Sequence, residues 1–165
     1  MPDYYSASID IGGHLNAAAR TALAEAIEAD GATSDYGDRA LTAETALGRI
    51  DVAVDQGEPL SLCDDRRPAG EFYDVEAVCR AFALPFLRQT EAKYGEDAGC
   101  VYFDGTEEHF TVTTEDGEGV ATASEIRAAM AAGTLEALLA MLEITVKAIP
   151  PLTFTPGAAE TAATS

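Results

Sequence analysis

The stretch Cys100–Thr114, CVYFDGTEEHFTVTT, settles the architecture. Two short runs rich in β-branched and aromatic residues flank Asp104–Gly105, a turn pair, and this is the signature of a β-hairpin. Period-two alternation sets Val101 and Phe103 against Phe110 and Val112 across that turn. A second turn, EDGEG (Glu115–Gly119), follows. A hairpin requires antiparallel pairing, so the sheet is expected to be mostly antiparallel.

YYSASIDI (Tyr4–Ile11) places Tyr5, Ala7, Ile9 and Ile11 on one face, which predicts a half-buried strand. After Gly12–Gly13, Leu15, Ala19, Leu23 and Ile27 fall at helical spacing, with Asn16 as cap and Gly31 as stop. A loop over ATSDYGDRA precedes a second helix from Thr42, for which Ala43, Glu44 and Ala46 outweigh the rival reading of RIDVAV as a strand. PLSLC predicts a short strand. The charged stretch Asp64–Glu71 then reads as a turn before a helix carrying Phe72, Val75, Cys79 and Phe82. Its two aspartates and two arginines pair locally as a structural joint. PFLRQTEA predicts a further strand. Thr122–Glu125 is a capping box. Beyond it, Leu135, Leu138, Leu139, Leu142, Val146 and Ile149 make the clearest amphipathic helix, ended by Pro150–Pro151. The fold class is therefore α+β: a single domain over 1–152, a small sheet covered by helices, and a disordered tail over 153–165.

Chemistry-bearing motifs are sparse. DIGGHLNAAA joins a strand to a helix but lacks the third glycine of a dinucleotide site and the Lys-Ser/Thr of a P-loop. His14 and His109, with Cys63, Asp64 or Asp65, show no metal-ligand spacing. The three cysteines contain no CxxC pair, which reads as small buried residues in a reducing compartment. Carboxylates beside Cys63 raise a thiol's pKa, which disfavours a nucleophile there. No enzyme, metal or cofactor is implied. No apolar run reaches the roughly 18 residues of a membrane span, and the N-terminus lacks a signal-peptide pattern, so a cytoplasmic location is expected.

Charge carries the strongest signal. Twenty-nine acids face ten bases, a net of −19, and the only lysines are Lys93 and Lys147. Such a surface repels nucleic acid and anionic membranes and attracts basic surfaces. Two segments, Glu25–Asp65 and Glu91–Glu118, hold most of the excess. An even coat, about one net charge per ~400 Å², is far sparser than duplex phosphates. The acids imitate a phosphate array only if these segments meet on one face. The hairpin at Asp104–Glu118 and the loops around Asp30–Asp38 are expected together there.

The stretch PLSLCDDRRPAGEFYDVEAVCR, with EAKY at Glu91–Tyr94 and YYSASIDIGG at the N-terminus, resembles a pattern in small acidic proteins carried by phages and plasmids. The resemblance covers about half the chain. It implies an accessory role against host defence, of the anti-CRISPR or anti-restriction kind.

The expected function is a DNA-mimic inhibitor, an acidic binding protein that occupies a basic nucleic-acid-binding surface of a host complex. The expected contacts are Asp35, Asp38, Glu96, Asp97, Asp104, Glu107, Glu108, Glu115, Asp116 and Glu118. The alternative is a haloadapted or generally acidic domain, in which the charge is a solvation device and any ligand or enzymatic role is unreadable.

Overall fold

The computed structural model describes residues 3–93 and 97–157. One antiparallel sheet has the strand order β3-β1-β4-β5-β6, formed by β1 Tyr4–Ile11, β3 Leu60–Pro68, β4 Phe86–Thr90, β5 Ala98–Phe103 and β6 Glu108–Thr113. The helices are α1 Ala17–Asp30, α2 Ala43–Gln56, α3 Tyr73–Ala81, α4 Ala123–Ala132 and α5 Leu135–Leu142, with a 3₁₀ turn at Glu143–Val146. The protein is thus an α+β fold. No helix among the described residues is long and apolar enough to cross a membrane.

The local signals act as expected at several ends. Asn16 Oδ1 accepts the Ala19 N–H at 2.8 Å, and Gly31 closes α1 in the left-handed conformation. Thr42 opens α2 with a reciprocal cap to Thr45, and Thr122 does the same for α4 with Glu125. The main core lies between one sheet face and α1–α3. Ile9, Ile11, Leu62, Phe86 and Phe103 meet Leu23, Ile27, Ile50, Phe72 and Val75. On the other face, Leu87 and Cys100 are covered by Ile144 and Ile149.

Four expectations need correction. First, β3 runs on through Asp64–Pro68, so the charged stretch is strand, and the turn is confined to the following residues. There Ala69 and Gly70 both take positive φ. Second, Val101 does oppose Phe110, but Phe103 opposes Glu108 and Val112 opposes Gly99, because the connection is longer than a tight turn. Third, the clearest amphipathic helix buries none of its residues. It stops at Leu142, and only Ile144 and Ile149 beyond it reach the core. Fourth, the fold extends past 152. Strands β2 Gly13–Leu15 and β7 Leu152–Phe154 pair in parallel, with Leu152 fully buried.

That pair explains the double glycine. Gly12 donates to the Pro85 carbonyl at 2.9 Å and Gly13, at φ 95°, to the Pro151 carbonyl at 3.2 Å. A Cβ on Gly12 would collide with the Pro150 carbonyl oxygen. We expect Gly12→Ala to lower stability by at least about 2 kcal/mol through overpacking against backbone. Gly48→Ala, inside α2 with open space around it, should instead add about 0.5–1 kcal/mol. Chemical denaturation of both variants checks the contrast.

Candidate functional site

At one end of the sheet, β4 finishes, β5 begins and β6 finishes, as the antiparallel registers require. A groove of about 210 Å³ opens there, on the face away from α1–α3. Ser8, Gln89, Ala98 and Thr113 come from four neighbouring strands, while Tyr36 and the turn Thr114–Gly117 close the sides. Glu91, Glu115 and Asp116 line it, and no lysine, arginine or histidine does. A second depression beside it is lined by Glu91, Ala92 and Glu115.

Local chemistry fixes both walls. Thr33 and Cys63 exchange backbone hydrogen bonds at 2.9 and 3.0 Å, which anchors the loop on β3. The Tyr36 N–H then donates to Asp35 Oδ1 at 2.8 Å, and the Asp38 N–H donates to the Asp35 carbonyl at 3.2 Å. In the opposite turn, Thr114 donates its N–H to the Glu118 carbonyl at 2.8 Å, and its hydroxyl oxygen accepts the Glu118 N–H at 3.2 Å. Gly117 supplies the positive φ this turn needs. Burial above all, with the Glu91 carboxylate, holds the Tyr36 phenol above its ordinary pKa.

The expected contact residues divide between the two ends of the sheet. Asp35 and Asp38 flank Tyr36 in the loop, and Glu115 and Asp116 stand across the groove from it. Glu118 belongs to the same turn. Asp97 is at this end too but lines grooves beside Phe110 instead. Asp104, Glu107 and Glu108 sit at the opposite end of the hairpin, about 17 Å away along a six-residue strand. Asp104 accepts the Thr106 and Glu107 N–H groups, each at 2.7 Å, and these bonds hold its carboxyl below the ordinary value. Glu108 is paired with Arg80 at 2.6 Å. Asp30 is buried against Arg67. Glu96 lies outside the described residues. The expected meeting of the hairpin with the Asp30–Asp38 loop therefore involves only the hairpin's Glu115–Glu118 half. Glu91 and Tyr36 escaped the sequence reading, since only the β4 register and the Thr33–Cys63 bridge bring them in.

The other motifs resolve structurally. His14 Nδ1 lies 3.1 Å from the Thr153 hydroxyl, and His109 stacks on Tyr102. Among the described residues, no group of three or more His, Cys, Asp or Glu side chains is arranged to hold a metal ion. The double glycine packs against the Pro150–Pro151 backbone. Set against protein-family models, curated proteins and solved structures, the chain matches none.

All three cysteines are buried. Burial pushes the Cys79 thiol up to about 12 and Cys100 to about 11. Cys63 is raised by burial and by the nearby Asp35, Asp64 and Asp38. A thiol whose pKa lies above the working pH stays neutral and unreactive. In the native protein at pH 8, a colorimetric disulfide reagent should therefore label none of the three on a timescale of minutes, and all three after denaturation. Rapid native labelling of Cys63 would restore it as a nucleophile.

Proposed function

We propose that the protein is an acidic binding module that presents the Glu91–Glu115–Asp116 groove to basic side chains on a nucleic-acid-binding protein and competes there with nucleic acid. The observation that carries this reading is a groove with three carboxylates and no base among its lining residues, flanked by Asp35 and Asp38. Opposite charge steers encounter, which makes association fast and salt-sensitive. Binding alone inhibits, so no turnover is needed. A host defence complex is the target class that the likeness to phage- and plasmid-borne proteins implies. The mimicking surface is smaller than a duplex face, because the Asp104–Glu108 acids stand at the other end of the sheet.

A second reading draws on one observation. Glu25, Glu28, Glu44, Asp51 and Asp55 are exposed along α1 and α2, and none lines the grooves described above, as a general solvation coat would place them. A haloadapted protein gains stability in molar salt, and a binding module does not depend on that gain.

The test is capture from a host lysate on immobilised protein, with elution by duplex DNA. Captured proteins should be nucleic-acid-binding and should be released by DNA. Affinity should fall at least about tenfold between about 50 and 200 mM salt. The triple variant Glu91→Gln, Glu115→Gln, Asp116→Asn should lose most of the capture, while Asp104→Asn with Glu107→Gln keeps it. Equal capture by the triple variant contradicts the proposal.

A further inference from the structure

A second surface has a different character. Of the eleven large apolar side chains exposed among the described residues, seven lie between Phe110 and Val146. They include Ile126 and Met130 on α4 and Leu139 and Met141 on α5, with Met130 64% exposed and Phe110 57% exposed. Helix α4 packs chiefly on α5, and α5 buries no residue. The helical hairpin therefore carries apolar side chains that nothing among the described residues covers. Between it and β6 runs a groove of about 440 Å³. Half-buried Val112, Leu138 and Leu142 and exposed Phe110, Val120 and Met141 supply its apolar wall, and Asp97 and Glu125 supply its charge. No basic side chain lines it.

We infer that this groove docks an amphipathic helix of another protein, one with apolar anchors on one face and lysine or arginine along its flanks. The charge of the groove selects the flanks: apolar anchors are buried between the helical hairpin and β6 while Asp97 and Glu125 meet basic side chains. The shape selects a helix over an added strand. The Val120 N–H already occupies the Val112 carbonyl, which shortens the edge of β6 open to an added strand. The wall facing the groove is itself a helix with side chains at i, i+3 and i+4 spacing, which interdigitate with those of another helix.

Other occupants fit less well. The chain beyond Gly157, AAETAATS, offers only alanines as apolar anchors and carries Glu160. A second copy would bring two bodies of net −19 together, each carrying the same two groove carboxylates. An anionic membrane is disfavoured by the same charge. This surface is separate from the carboxylate groove, so the two readings stand or fall independently.

The probe is a fluorescein-labelled synthetic peptide with leucine at helical a/d spacing and lysine elsewhere, read by anisotropy at about 150 mM salt. A scrambled peptide of identical composition controls for bulk charge. The patterned peptide should bind at least about tenfold tighter than the scrambled one. Met141→Glu, at an exposed position that leaves the fold intact by circular dichroism, should remove that advantage, and Glu115→Gln with Asp116→Asn should keep it. Equal binding of the two peptides overturns the inference. So does a concentration-dependent dimer in sedimentation that Met141→Glu abolishes, because the occupant is then a second copy.

Discussion

The fold turns on one buried ion pair. Asp30, the last residue of α1, meets Arg67 of β3 at 3.0 Å, with side-chain exposures of 3% and 5%. The other Asp30 oxygen accepts the N–H groups of Asp74 and Val75, at 3.1 and 2.9 Å. Helix α3 has no side-chain cap from its own N-cap residue Phe72, so a carboxylate from α1 caps it. An acid at the C-terminus of α1 opposes that helix's dipole, but the same acid favours the N-terminus of α3. Arg67 adds bonds to the Glu71 and Asp30 carbonyls and stacks 4.9 Å above the Phe72 ring. One contact thus joins a strand and two helices. Removing one partner of such a pair typically costs about 3–5 kcal/mol, because the other charge is left buried.

A second network repeats the logic across the sheet. Glu76 of α3 is buried, and it accepts from the Phe72 N–H and from Arg80, each at 3.0 Å. Arg88 Nε lies 2.7 Å from Glu76 Oε1 but is not aligned as a hydrogen bond, so the contact is mainly Coulombic. Burial pushes the Glu76 carboxyl up, while Arg88, the Phe72 N–H and Arg80 pull it down. Arg80 continues outward to Glu108. Arg20, Arg67, Arg80 and Arg88 are all engaged in ion pairs. Arg67 and Arg88 thus tie strands to helices through buried acids, and the acids around the terminal groove have no base lining it with them.

Local code was legible in the sequence, and long-range geometry was not. Alternation gave β1, and capping residues such as Asn16, Gly31 and Thr42 gave helix ends, because those signals act within one turn of chain. The continuation of β3 through Asp64–Pro68 was hidden, since acidic and basic residues disfavour strands in isolation and only Asp30 explains Arg67 there. Likewise β2 and β7 are too short to show a period, and they exist because they pair across 139 residues of sequence. The apolar stripe of α5 was real but is only half covered, because periodicity shows which residues share a face and not what covers it. The acidic loops could be named. Their partition between the two ends of the sheet required the strand register.

The division between buried, paired acids and the acids clustered in a groove that no base lines is most directly tested by unfolding free energies at low ionic strength. Asp30→Asn should destabilise the protein, because it weakens a buried pair and a helix cap. Neutralising Glu91, Glu115 and Asp116 together should stabilise it, because those groups repel one another. A loss of stability on neutralising the groove would mean that its carboxylates serve the fold, and that they are not a charge concentration held at the fold's expense for binding.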